Sequence, residues 1–158
     1  MPLTAVVSSP LERTRETADP VAADHGLDVI VDPSFIEFDT GEWTGRMFAY
    51  LAVNDLWRRF NAVRSLTRIP GGELMIEVQH RAVTRLLALR QQFPSGAVMI
   101  VSHGDVLRSL LMYALGIPID FYQRLDPSPA RISIVDIADD SARVLQVNGD
   151  TATLIAGQ

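Results

Sequence analysis

Short runs of apolar, often β-branched residues alternate with longer amphipathic stretches along this chain. Residues 3–7 and 29–31 have strand length and composition. Residues 97–101 form a continuous apolar run of the sort buried on both faces of a parallel sheet. Residues 131–137 alternate as a strand, and residues 143–147 form another, joined to it through the Asp139-Asp140 turn. Between these runs the spacing changes to helical. Ser9 reads as an N-cap, Pro10 as the first helical position and Glu12 as the third residue of a capping box. That helix runs to about Ala23 and stops near Gly26. Residues 35–50 are irregular at first and then helical. Residues 54–66 read as a helix with Leu56, Phe60 and Val63 on one face. Pro70-Gly71-Gly72 is a turn. Residues 73–92 form a long helix with Ile76, Ala82, Leu86 and Leu89 as core positions and a Glu77/Arg81 pair one turn apart. Residues 105–115 form a last helix, closed by Gly116-Ile117-Pro118.

The order is strand, helix, strand, helices, strand, helix, strand, strand. It argues for α/β layers with a partly parallel sheet, finished by an antiparallel hairpin. The 158 residues hold no repeat, low-complexity tract or linker, so residues 1–158 read as one domain.

Composition narrows the chemistry. The net charge of −5 speaks against nucleic acid or an acidic membrane as partner, so any anion must be held by a local group of cations. All 14 basic residues are Arg. A Lys nucleophile, a Schiff base and a phosphate loop of the G-K-[ST] type are therefore excluded. Arg suits planar, bidentate oxyanion binding; the alternative explanation of the all-Arg usage is a GC-rich codon bias. With no Cys, disulfides, zinc-thiolate sites and Cys nucleophiles are out. Met1-Pro2-Leu3 runs straight into a strand with no charged leader, and no apolar run approaches a membrane span. A cytoplasmic location is the expectation.

Among the three His, His103 stands apart. His25 sits at a helix end and His80 within an amphipathic helix, both ordinary structural positions. His103 ends an apolar strand and precedes a Gly and a helix start. Ligands of open α/β sheets bind beyond the carboxyl ends of strands, where helix-first amides favour anions. The alternative is a His that merely caps the following helix. Arg13 has the same strand-end, helix-start placement; a cation there is electrostatically unfavourable unless an anion offsets it. Arg15 reads as solvent-facing, and capping alone explains Ser9 and Glu12. Glu37 lies among Phe35, Phe38 and Trp43, where a carboxyl can hold its proton and act as a general acid. Asp39 and Glu42 are near it, but the spacing matches no calcium loop. Ser8, Ser9, His103 and Asp105 could suggest a Ser-His-Asp hydrolase, yet the G-x-S-x-G elbow is absent.

Four ordered segments carry a family resemblance. They are Ser8-Ser9-Pro10-Leu11-Glu12-Arg13-Thr14-Arg15-Glu16-Thr17-Ala18, Glu37-Phe38-Asp39-Thr40-Gly41-Glu42-Trp43-Thr44-Gly45, Pro70-Gly71-Gly72-Glu73 and Val101-Ser102-His103-Gly104. Together, with Asn148-Gly149-Asp150 as a closing segment, they resemble the histidine phosphatase, or phosphoglycerate mutase-like, superfamily over nearly the whole chain. The resemblance implies a three-layer α/β/α sandwich with a mostly parallel mixed sheet. It also implies phosphoryl transfer without metal or other cofactor, on a small phosphorylated substrate. In that family a His in an N-terminal Arg-His-Gly motif takes the phosphoryl group and passes it to water, or back to substrate in mutases. By motif, Arg13 and Gly104 would bind the phosphate, His103 would neutralise its oxygens and Glu37 would protonate the leaving group.

These 158 residues contain no Arg-His-Gly. Measured against the family, the expectation is a chain lacking the first strand and helix, and with them the nucleophile. That strand would lie between residues 97–101 and residues 131–137. Its absence leaves backbone groups unpaired, so either these two strands close the gap directly or another chain's strand fills it, which makes a homodimer one outcome. The expected function is phosphomonoester hydrolysis by the full-length form, with this chain inactive or impaired. The alternatives are a non-catalytic phosphoester-binding module and a phosphomutase. Residues 47–68 are expected to cover the pocket, with Trp57, Arg58 and Arg59 touching substrate; an amphipathic surface helix explains them equally well.

Overall fold

The computed structural model describes residues 2–150. Among the described residues five strands and five α-helices follow one another in the expected alternation. They are β1 (Leu3–Ser8), α1 (Glu12–Asp24), β2 (Val29–Val31), α2 (Phe48–Ala52), α3 (Asp55–Ala62), α4 (Met75–Gln92), β3 (Ala97–Val101), α5 (Gly104–Ala114), β4 (Ile132–Ile137) and β5 (Ala142–Gly149). Short 3-10 turns occupy Pro33–Phe35, Gly41–Trp43 and Ile119–Arg124.

β1 is the middle strand of a parallel sheet ordered β2-β1-β3. Its register pairs Val6 with Val29 and Met99, and Ser8 with Val31 and Val101. Because side chains alternate along a strand, the two faces of the sheet carry two separate cores. On one face Val6, Val29, Met99 and Val101 pack with Ala18 and Ala22 of α1. On the other, Val7, Ile30, Val98 and Ile100 join the main core with Met75, Val78, Ala82 and Leu89 of α4 and Val106, Leu110 and Met112 of α5. Helices thus cover both faces of the sheet. The aromatic part of the main core holds Phe38 stacked on Phe60 at 5.7 Å, with Trp43 edge-on to Phe60 at 5.5 Å.

β4 and β5 pair with each other as an antiparallel hairpin. Among the described residues this hairpin forms its own two-stranded sheet, and β5 contacts α5. β3 and β4 are therefore not neighbours, so direct closure of the gap, one of the two expected arrangements, is not found. The ladder to β5 already satisfies one edge of β4. Among the described residues β3 pairs with no strand but β1, and all five of its residues are half-buried rather than buried.

Several local expectations are corrected. Ser9 does not cap α1: the helix begins at Glu12 with Leu11 as its N-cap, and the Ser9 hydroxyl is engaged elsewhere. Pro10 accordingly lies outside the helix. In α4 the inward positions are Met75, Val78, Ala82 and Leu89, one face at helical spacing, while Ile76 is 47% exposed. α3 ends at Ala62, earlier than the pattern suggested, because the chain then turns through a bond from Thr67 N to Val63 O. Glu77 and Arg81 do not pair. Glu77 bonds Arg68 and the Leu74 amide, whereas Arg81 reaches back to Glu73.

Candidate functional site

The carboxyl ends of β1 and β3 lie side by side because the strands are parallel and in register, Ser8 against Val101. The chain leaves both ends at the same edge of the sheet, and Ser9 N donates to Val101 O at 3.0 Å. Arg13, in the first turn of α1, and His103, the N-cap of α5, are delivered there together. Arg13 Nη2 is 2.9 Å from His103 Nδ1. The other ring nitrogen, Nε2, is 2.7 Å from Ser9 Oγ. His103 makes no side-chain cap to α5, so the capping alternative is not what holds it.

Guanidinium has donors only. Arg13 must therefore donate and Nδ1 must accept, which leaves the ring proton on Nε2, donating to Ser9. In this arrangement His103 is neutral. Burial, with Arg13 and Arg81 adding positive charge nearby, lowers its pKa from 6.5 to about 4. A permanently cationic His103, neutralising phosphate oxygens by its own charge, is not the resting state of this site.

Glu37 completes the group. Its Oε2 is 3.9 Å from Arg13 Nη2 and 3.8 Å from His103 Nδ1. Burial raises its proton affinity. The Asp105 carboxylate raises it further, while a bond from Phe38 N and the charges of Arg13 and Arg81 oppose this. Asp105 itself, two residues past His103, is held above the usual carboxylate range by burial, against the pull of Arg64 and Arg108. Gly104, the fourth residue singled out, is the first residue of α5, where the helix start favours an anion.

Position 37 is fixed by contacts that sequence alone did not reveal. Asp39 N donates to Glu73 Oε2 and Glu73 N to Asp39 O, both at 3.1 Å. Glu42 N donates to Pro70 O at 2.9 Å. These bonds clamp the loop after Glu37 against the Pro70-Gly71-Gly72 turn. Gly41 has φ +49, and a Cβ there would stand 2.3 Å from Pro70 O, so only glycine fits. Arg81 forks onto Glu73 through Nε and Nη2, both at 3.0 Å, and donates through Nη1 to Ser34 O at 2.8 Å. From the other side Ser102 Oγ donates to Phe35 O at 2.7 Å. Arg81 and Ser9 are the positioning residues that sequence reasoning missed; an Arg two turns beyond Glu73 was the available signal for the first.

Trp57, Arg58 and Arg59 are not brought to the Arg13–His103 pair. Trp57 packs against Trp43 and Phe60, Arg58 pairs with Asp55, and Arg58 and Arg59 are exposed. An open groove of about 610 Å³ lies beside α3, lined by Ala52, Trp57, Arg58, Asn61, Ala62 and Gln123. Arg15 pairs with Asp19 on the exposed face of α1. Among the described residues no group of three or more His, Asp or Glu is arranged to hold a metal ion, and no helix is long and apolar enough to cross a membrane.

The family model of the histidine phosphatase superfamily (branch 1) matches residues 1–150. The chain belongs to that superfamily. It is 34% identical over 154 residues to the "Bifunctional protein Rv2228c" of Mycobacterium tuberculosis, covering 96% of this chain and 42% of that protein. The chain thus spans about two-fifths of the length of these relatives. It is 35% identical over 161 residues to a "Probable phosphoglycerate mutase GpmB" of Cronobacter sakazakii, covering 98% of this chain and 74% of the relative. In fold it resembles Bacillus stearothermophilus YhfR, with TM-score 0.85 and 24% identity over 94% of this chain and 75% of that one. It also resembles the mycobacterial glucosyl-3-phosphoglycerate phosphatase Rv2419c complexed with VO3, with TM-score 0.82, 25% identity, and 94% and 78% coverage.

Proposed function

We propose that the Arg13–His103–Glu37 group is the oxyanion-binding and leaving-group side of a phosphomonoester site, acting on a small phosphorylated substrate in the cytoplasm. The observation that carries this reading is the meeting of a guanidinium, an imidazole and a carboxyl of raised proton affinity at one edge of a parallel sheet. Arg13 and the start of α5 at Gly104 offer positive potential to phosphoryl oxygens. Glu37 holds the proton that a departing alkoxide needs. A fold neighbour whose structure is described with VO3, an ion that mimics phosphoryl groups in transfer, supports the same class of ligand.

Hydrolysis through a phosphohistidine needs a nucleophilic His facing this group. His103 is turned with Nε2 into Ser9 and Nδ1 against Arg13, and no Arg-His-Gly occurs in the 158 residues. In our reading the full-length form hydrolyses phosphomonoesters, and the 158-residue chain keeps binding while turnover is lost or severely reduced. Phosphatase is favoured over phosphomutase because a fold neighbour 25% identical to this chain is described as a phosphatase.

Isothermal titration with orthovanadate and an assay with 4-nitrophenyl phosphate test both parts. The expected result is binding without appreciable hydrolysis, with Arg13→Ala weakening binding at least about tenfold, the worth of a charge-assisted hydrogen bond. Binding insensitive to Arg13→Ala would remove the site. Robust turnover that disappears in His103→Ala would overturn the inactive reading.

A further inference from the structure

We infer that Asp105 is a specificity-determining residue of this site: its carboxylate accepts a hydrogen bond from a free hydroxyl on the alcohol half of the substrate, and so selects phosphorylated polyols or sugars over plain alkyl esters. The inference rests on the oxyanion reading above and names the class of alcohol that reading leaves open.

Asp105 is the second residue of α5, two positions after His103. Side chains of an α-helix lean toward its N-terminus, so this carboxylate leans toward the sheet edge where Arg13, His103 and Glu37 meet. A continuous wall of contacts also leads from its helix back to Glu37. Arg108, one turn further along α5, lies over the Tyr122 ring at 4.2 Å. Arg64 covers the same ring at 3.8 Å and the Phe60 ring at 4.4 Å. Phe60 stacks on Phe38, the residue after Glu37. The charge of Asp105 is felt at Glu37, whose proton affinity it raises.

The carboxylate is half-buried, yet among the described residues it accepts no hydrogen bond. The two guanidiniums that attract it are committed elsewhere. Arg64 Nη2 donates to Asn61 Oδ1 at 2.8 Å, and Arg108 Nη2 donates to Asp126. They offset the charge of Asp105 without filling its acceptor positions. A partly desolvated carboxylate in that state is an unmet acceptor. The helix dipole favours any Asp in a first turn, but it gives no reason to half-bury one with its oxygens unbonded.

Electrostatics decides which half of the ester Asp105 serves. Phosphoryl oxygens of a dianion have no proton to give, so toward them the carboxylate is repulsive. Toward a hydroxyl it is a charged acceptor, the stronger kind of hydrogen-bond partner. Its coupling to Glu37, the group that faces the departing alkoxide, puts it on the alcohol side. Arg64 and Arg108 beside it disfavour an ammonium group as the donor.

Isothermal titration of the 158-residue chain with inorganic phosphate, propyl phosphate and glycerol 3-phosphate tests this. The last two differ only in the hydroxyls of the alcohol. Glycerol 3-phosphate should bind roughly tenfold more tightly than propyl phosphate, the worth of a hydrogen bond to a charged group. Asp105→Ala should erase that ratio and yet tighten inorganic phosphate and propyl phosphate about two- to fivefold, because a like charge is gone. Asp105→Asn keeps the shape; it should also tighten inorganic phosphate and retain only part of the preference, since a neutral acceptor is weaker. Equal binding of the two esters by the parent chain, or a preference that survives Asp105→Ala, would overturn the inference and leave the oxyanion site standing. Weakening of all three probes together in both variants would make Asp105 merely structural and overturn it too. A parent chain that binds none of the three would overturn the oxyanion reading and this one with it.

Discussion

Arg13 Nη2 stands 2.9 Å from His103 Nδ1, with ninety positions of sequence between the two residues. Two parallel strands in register bring them together, and each side chain is projected from the first residues that follow its strand. The contact has chemical meaning because the donor is a permanent cation. It forces the imidazole to be an acceptor and so fixes its protonation state.

That state has a stability consequence. The folded-state pKa of His103 is about 4, below the ordinary 6.5. A His whose pKa is depressed by folding stabilises the fold above the unfolded value, and the contribution is lost as pH falls through the folded one. Urea unfolding should therefore show stability declining between pH 6.5 and about 4, by up to roughly 3 kcal/mol from this group. His103→Gln should be flatter with pH over that window. An equal slope in both proteins would assign the acid sensitivity to other groups.

Glu37 titrates with the opposite consequence. Its raised pKa means the fold favours the protonated carboxyl. Stability from this group is present below the unfolded value and is lost as pH rises through the folded one. Glu37→Gln, which keeps the shape of the protonated acid, should therefore gain stability relative to the parent protein at neutral pH, and the difference should vanish in acid. Chemical denaturation of both proteins at two pH values checks this.

Gly41→Ala should destabilise the protein by more than about 2 kcal/mol, because it combines a left-handed backbone with a Cβ 2.3 Å from Pro70 O. The clamp between the Glu37 loop and the Pro70-Gly71-Gly72 turn would have to open. Gly45→Ala is the control: its φ is also positive, at +74, but nothing lies within 4 Å of the added Cβ. Its cost should be only the backbone strain of about 1 kcal/mol. Equal losses in melting temperature would show that the close approach does not matter.

Arg81→Met should cost about 2–4 kcal/mol and loosen the site at the same time. It leaves the Glu73 carboxylate, 27% exposed, without its two-pronged partner, and frees Ser34 O. Amide hydrogen exchange should rise at Asp39, whose N–H donates to the Glu73 carboxylate, and at Glu73, whose N–H donates to Asp39 O. Unchanged protection there would deny Arg81 its part in holding the loop.

Much of the fold was legible in the sequence because the signals are local. The apolar runs at β1, β2 and β3 and the Gly26 and Gly116 stops placed strands and helix ends within a residue or two. The alternation of elements was enough to indicate an α/β fold. Arg13, Glu37 and His103 could also be singled out, since ordered motifs and strand-end placement identify them without coordinates.

The pairings are another matter, because they depend on which side chains compete for the same partner in space. Ser9 looked like a helix cap because capping is the commonest use of a Ser before a Pro at a helix start. The helix starts three residues later, and the short contact of the Ser9 hydroxyl goes to His103, ninety-four positions away, in a buried setting; the Leu11 amide reaches the same oxygen only at 3.4 Å. Arg81 looked like the partner of Glu77 by spacing; tertiary packing gave it Glu73 and the Glu37 loop, and Arg68 took Glu77. Sequence by itself determined the order of the elements and singled out three residues whose side chains meet at one edge of the sheet, since both rest on short-range patterns. Only the tertiary structure decided the tautomer of His103, the setting that raises the proton affinity of Glu37 and the separation of β4–β5 from the parallel sheet, because each is set by neighbours that no sequence interval encodes.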